Sequence, residues 1–278
     1  MLRDMAVEKP NSDAVSRHWR VALLIAISVP LLAWLAFSPE IPQPAEYHDF
    51  ADQRGFAGIP HFWNVVSNLP FAIIGLVGCV WLLSKPAHRW AGEPWGKAAY
   101  FVFFFGEFLT CFGSAYYHVA PSNGTLVWDR LVFSLLLTSF FTIIVGEFIS
   151  RRASRVLLTP YVLIGIFSVL WWHGTELAGH GDLRLYVAVQ FYPVLAIPFI
   201  IALFRSRSEL GRLFLATWVL YGVAKICELL DQPLYELTRT WSGHTFKHFV
   251  AAAATVCVLY ALRQRMVRGP HGPDALAA

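Results

Sequence analysis

Residues 112–141 read "FGSAYYHVAPSNGTLVWDRLVFSLLLTSFF". A short polar break interrupts a text of Phe, Leu and Val. Ser114 and His118 stand before the break, Asp129 and Arg130 after it. The apolar runs on either side cover 98–118 and 126–148, each near the ~20 residues a helix needs to cross a bilayer. In hydrocarbon every backbone polar group must be satisfied within the segment, so two such runs read as two membrane helices. Polar side chains placed where they meet are costly and ask for a function.

Six further runs of the same kind lie at 21–37, 62–84, 156–173, 185–204, 213–230 and 243–262. The connections between them are short, so the spans form one bundle. Of the 278 residues 56% are hydrophobic and 14% charged. A soluble domain carries charge on about a quarter of its residues, so this chain has too little to coat a water-facing surface. The expected fold class is an all-α membrane protein of eight spans. The first run, "VALLIAISVPLLAWLAF" after Arg17 and Arg20, has the flanks of a signal peptide. It is long for one, and no clear A-x-A site follows, so it is read as an uncleaved helix.

Net charge is +4, but the cations sit in clusters between spans. No basic stripe interleaves with an aromatic platform, so no nucleic-acid partner is expected. From the N-terminus, Lys and Arg number 4, 1, 3, 0, 3, 1, 3, 1 and 3 in successive segments outside the spans. The positive-inside rule puts the rich segments, and both termini, in the cytoplasm. Cys79, Cys111, Cys227 and Cys257 fall inside apolar runs with no C-x-x-C spacing and read as small core residues.

Topology converts position into depth. The third span ends, and the fourth and eighth begin, at the outer face. Ser114, His118, Asp129, His244 and His248 therefore share one level. His244 and His248 are one turn apart on a helix face, as are Ser114 and His118. Three neutral imidazoles, with about 2.0–2.1 Å bonds, form a familiar catalytic zinc set that leaves a fourth position for water. Zinc brings the pKa of such a water toward ~7. Asp129 is the candidate to orient that water or take its proton. Ser114 is the candidate to stabilise an oxyanion or brace the outer shell. Lone histidines at helix ends are also common interfacial residues, so the shared level carries more weight than the H-x-x-x-H spacing.

S-x-x-x-H in "SAYYH", the Asp of "WDR" and H-x-x-x-H in "HTFKH" together resemble the pattern of the alkaline ceramidases. These belong to a superfamily of seven-helix membrane hydrolases that includes the progestin and adiponectin receptors. "FWNVVSNLPF", residues 62–71, resembles the segment that opens the first family helix. The resemblance implies a seven-helix hydrolase domain over 46–265, preceded by a tail at 1–20 and an added helix at 21–37. A second cytoplasmic tail would follow at 266–278. It implies that His118, His244 and His248 are zinc ligands, with Asp129 and Ser114 catalytic. It implies hydrolysis of the amide of ceramide or another N-acyl lipid drawn from the bilayer, releasing a fatty acid and an amine. The expected setting is a bacterial inner membrane, with the site toward the periplasmic side. The alternative is a zinc-stabilised receptor with little or no turnover.

One departure stands out. Animal alkaline ceramidases carry a calcium site before "FWN". Here Asp49 and Asp52 fit two of its positions, but Arg54 stands where an Asn is expected and His61 where an acid is. A permanent cation beside a calcium pocket is adverse, so calcium is not expected. Asp49 and Asp52 are expected to pair with Arg54 or stay solvated.

Other polar residues have plainer readings. Asn64, Ser67 and Asn68 either hydrogen-bond between helices or brace the site. Lys225, Glu228 and Asp231 form an i, i+3, i+6 set, expected either to hold a self-neutralising Lys225–Glu228 pair or to grip a substrate head group. Glu147 is expected to pair with the cluster at Arg151. Glu107, deeper in its span, is less easily dismissed. His173, Glu176 and His180 are expected to be solvated. Lys247, at about 100° per residue, is expected to turn off the ligand face and reach outward to the interface.

Overall fold

The structure is a computed structural model that describes residues 12–84, 94–204 and 209–268. Of the expected tails at 1–20 and 266–278, residues 1–11 and 269–278 lie outside the described residues, as does the connection carrying Lys85 and Arg89; residues 12–20 and 266–268 are not tail but the first turns of α1 and the last turn of α10. Among the described residues ten α-helices run in order: α1 (Ser12–Phe37), α2 (Phe62–Val66), α3 (Leu69–Ser84), α4 (Pro94–Val119), α5 (Asn123–Ile144), α6 (Arg151–Leu177), α7 (Arg184–Leu203), α8 (Glu209–Leu229), α9 (Asp231–Thr238) and α10 (Gly243–Arg268). Eight stretches are long and apolar enough to cross a membrane, α2 and α3 together making one of them. The chain is an all-α membrane protein.

Local chemistry sets the breaks. Ser122 opens α5 with a capping box: its hydroxyl accepts from the Thr125 backbone N–H, and Thr125 Oγ1 accepts from Ser122 N. Two orphan donors of the first turn are thereby satisfied. At the far end, α5 widens into a π-helical turn, Val145–Ile149. Ser150 then caps α6 by accepting from Ala153 N. The fifth span is therefore longer than 156–173, because the arginines at 151, 152 and 155 continue the helix that Ser150 nucleates.

Helices α3, α4, α5, α7, α8 and α10 close a ring, and α6 lies outside against α5 and α7. Helix α1 packs chiefly on α7, where Ser28 Oγ and Tyr192 OH are 2.9 Å apart. It is an addition to a core that closes without it. Close crossings rest on small residues, as membrane packing requires. A Cβ at Gly75 of α3 would stand 2.3 Å from the Phe108 amide nitrogen of α4. Helix α7 contains Pro193 and Pro198. Proline has no N–H, so Pro198 frees the carbonyl of Val194 four residues back. Trp218 of α8 donates its indole N–H to that carbonyl at 2.6 Å, which ties α7 to α8 where α7 would be weakest.

Three packed zones follow. Phe103, Phe104, Phe140, Ile143, Phe214 and Leu262 belong to the largest, and Phe71, Cys111 and Ala252 make the smallest. The third gathers Phe50, Tyr117, Leu126, Trp172 and Tyr186 at the end of the bundle where α4 finishes and α10 begins. Buried within that zone, Arg130 lies 4.1 Å from the Trp172 ring centroid and 4.7 Å from that of Tyr186. Its charge is held by aromatic faces and by a hydrogen bond to Gln43 Oε1. At the opposite end Glu147 accepts from Arg265 and Tyr100, a different cation from the Arg151 cluster expected from sequence order.

Candidate metal centre

His118 stands in the last turn of α4, and His244 and His248 in the first two turns of α10. All three are buried. One ligand nitrogen from each lies within 4.8 Å of the others. The Nε2 atoms of His118 and His244 are 3.2 Å apart. Two nitrogens tetrahedrally bound to one ion at 2.0–2.1 Å would be separated by about 3.3 Å. The donor set and its spacing fit a divalent ion, and among the described residues this is the group of three that can hold one.

Several residues set these rings. Ser67 Oγ lies 2.7 Å from His248 Nδ1, so the hydroxyl engages one ring nitrogen and leaves the other toward the cluster. Asp231 Oδ1 accepts the His244 backbone N–H at 2.6 Å, and Oδ2 accepts Ala51 N–H at 2.9 Å. One carboxylate thus clasps the start of α10 to the segment before α2. Asn64, fully buried, accepts from Thr245 Oγ1 at 3.0 Å. Gly243 is needed because a Cβ there would stand 2.1 Å from the Cys227 carbonyl oxygen. That close approach presses α10 onto the end of α8.

Ser114 and Asp129 also come near each other, a hydroxyl beside a carboxylate. Both line a cavity with His248. The cavity encloses about 1110 Å³ of atom-free space, its open mouth included. Its walls run from Ser114 back to Phe103 on α4, from Asp129 to Phe140 on α5 and from Glu228 back to Thr217 on α8. Each spans twelve residues, a rise of about 16 Å at 1.5 Å per residue. The polar end holds Ser114, Asp129, Lys225, Glu228, Lys247 and His248, and the far end is largely aromatic and aliphatic.

Lys247 departs from expectation. It does not reach outward. Its Nζ lies 2.6 Å from Glu228 Oε1 and 3.2 Å from His244 Nε2. Glu228 also holds Lys225 at 2.5 Å, so the carboxylate draws both ammonium groups inward. Helical phase predicted the direction of Cβ; a four-carbon stem and a half-buried carboxylate decided where the charge ends.

The segment before α2 covers the cluster. Phe50 is buried, its ring centroid 4.8 Å from that of His118 and 4.6 Å from that of His244. Nothing in the sequence around Phe50 signalled this role. Asp52 is buried and pairs with Arg54, through Nε to Oδ1 at 2.8 Å and Nη2 to Oδ2 at 2.9 Å. The same guanidinium reaches the Thr240 carbonyl, so Arg54 occupies the cation position among these oxygens. Asp49 accepts from Gln53. The acid pattern at 49–52 thus serves an ion pair and a local turn. Glu176 accepts from Asn123 at 2.8 Å, and His180 lies 3.5 Å from Glu40.

Among known proteins, no family model matches the chain and no curated sequence does.

Proposed function

We propose that this protein is a zinc-dependent intramembrane hydrolase that cleaves the amide bond of an N-acyl lipid, ceramide or a close relative. The observation that carries the reading is continuity: the three-imidazole cluster opens through His248 onto the cavity that Ser114 and Asp129 share, and that cavity then runs on as an apolar channel. A lipid amide has the same layout, a polar reacting group at the head of a hydrocarbon chain.

His118, His244 and His248 would hold the ion. When bound, zinc supplies Lewis acidity and a source of hydroxide near neutral pH. The chain's own groups do the rest. Asp129 stands at the cavity's polar end to accept a proton from the attacking water and return it to the leaving amine. Ser114 places a hydroxyl beside the Asp129 carboxylate. Phe50 seals the cluster on the side away from the cavity, which keeps bulk water out and strengthens electrostatics inside. Glu228 neutralises part of the charge of Lys225 and Lys247, so a neutral amide meets a nearly neutral wall.

The test is release of fatty acid from N-acyl lipid by the purified protein, its His244→Ala variant and its Asp129→Ala variant. Release by the intact protein alone supports the reading. Equal release by all three, or none by any, removes it.

A further inference from the structure

Partway down the cavity wall stands a carboxyl group that the proposed chemistry does not use. Glu107 precedes Ser114 by seven residues on α4. At about 100° and 1.5 Å per residue, that is two turns, about 10 Å deeper on the same face. Glu107 is fully buried and lines the cavity beside Thr110 and Thr255. Its Oε1 accepts from Thr255 Oγ1 at 2.7 Å. Its Oε2 is buried with no hydrogen-bond partner. The neighbouring hydroxyls do not complete it. Thr110 donates to the Gly106 carbonyl at 2.9 Å, and Thr255 reaches the Ala252 carbonyl at 2.8 Å. A buried polar atom left unpaired is expensive, and more so in a membrane span. The wall beyond it, with Phe103 and Phe140, has no need of a carboxyl for packing.

We infer that Glu107 recognises a hydroxyl group carried midway along the acyl chain, so that the preferred ligand is a hydroxylated chain and not plain hydrocarbon. The inference rests on the reading of the cavity as an acyl-chain site. A hydroxyl both donates and accepts, so it completes Oε2 whether or not the carboxyl carries its proton. A methylene completes neither form. The depth fixes the place on the chain: about 10 Å beyond Ser114 is well removed from any hydroxyl next to the amide.

The experiment displaces a fluorescent fatty acid from the full-length protein in detergent. Three competitors are compared: a saturated long-chain fatty acid, the same acid hydroxylated at mid-chain, and the same acid hydroxylated beside its carboxyl. The mid-chain hydroxy acid is expected to compete at about tenfold lower concentration than either of the others, the value of one well-made hydrogen bond. Glu107→Leu is expected to erase that advantage, while Thr255→Val, which leaves Oε2 in place, keeps it. Equal competition by the three acids, or an advantage that survives Glu107→Leu, overturns the inference. If the Leu variant does not fold, the wild-type ranking alone still decides. An intact ranking without fatty-acid release from N-acyl lipid sinks the hydrolase reading alone. Failure of every acid to displace the probe sinks the acyl cavity and this inference together.

Discussion

The Ser67 hydroxyl lies 2.7 Å from Nδ1 of His248, joining α3's approach to the second candidate ligand of α10. Outer hydrogen bonds of this kind fix a ligating ring's orientation, and their loss costs 10–100-fold in metal affinity. Ser67→Ala should therefore weaken zinc binding by roughly that factor while leaving the fold intact. His118→Ala should abolish stoichiometric binding. Metal content after dialysis against graded chelator measures both. Full retention by Ser67→Ala would show that His248 is set by packing alone.

Lys247 gives a prediction of opposite sign. Its ammonium group stands 3.2 Å from His244 Nε2, where a divalent ion would meet a like charge. Lys247→Met removes that repulsion and leaves Glu228 paired with Lys225. Zinc affinity is expected to rise about tenfold, a change worth about 1.4 kcal/mol. Competition with a chromophoric chelator reads it. A fall in affinity would mean that Lys247 holds the cluster in place instead of opposing the ion.

Much of this was legible before any coordinates. Eight apolar runs gave eight spans, since run length and the need for internal hydrogen bonding leave a membrane segment little choice. The shared level of His118, Asp129, His244 and His248 followed from chain direction alone. What stayed hidden depends on side-chain reach and on long-range closure. Lys247 bends inward because Glu228, nineteen residues earlier, waits at the end of its stem. Phe50 covers the rings because Asp231 clasps Ala51 and His244 together. Arg130 is stable inside because three aromatic rings from separate segments meet around it. None of these leaves a periodic trace in the sequence.

The loop between α6 and α7 predicts a pH response. Asp182 accepts from Arg184 through Nε and Nη2 and through the backbone N–H, and these bonds hold its carboxyl down to about 2. Arg184 in turn donates to the Ala36 and Ser38 carbonyls, so the pair also secures the end of α1. An unfolded Asp titrates near 3.9. The folded value is lower, so the pair's stabilisation is complete above about pH 4 and is lost as pH falls toward about 2. Asp182→Asn should lower the thermal midpoint near neutral pH, and the gap from the parent protein should close between about pH 4 and pH 2. Midpoints of both proteins across that range check it. A gap that is constant down to pH 2 would exclude the carboxylate charge as its source.

Gly113 links packing to chemistry most directly. It precedes Ser114 on α4 and faces α5, where a Cβ would stand 2.7 Å from the Trp128 carbonyl oxygen and 2.8 Å from Val132 Cγ2. Trp128 precedes Asp129. The pair that must give way is thus the backbone immediately beside the place where Ser114 and Asp129 meet. Gly113→Ala cannot be absorbed by rotating a flexible side chain, because the nearest atom is backbone. The helices must separate at that level. Fatty-acid release, if the proposed chemistry holds, should fall by about the 10²-fold that a 1 Å misplacement costs. Zinc content should stay near that of the parent, because His244 and His248 sit on α10 and Ser67 still braces His248. Ser114→Ala should mimic the activity loss without the strain, so its thermal midpoint should exceed that of Gly113→Ala. Unchanged release by Gly113→Ala would mean that the contact between Ser114 and Asp129 tolerates a wider crossing than the structure has, and that the pair is not what positions the acid.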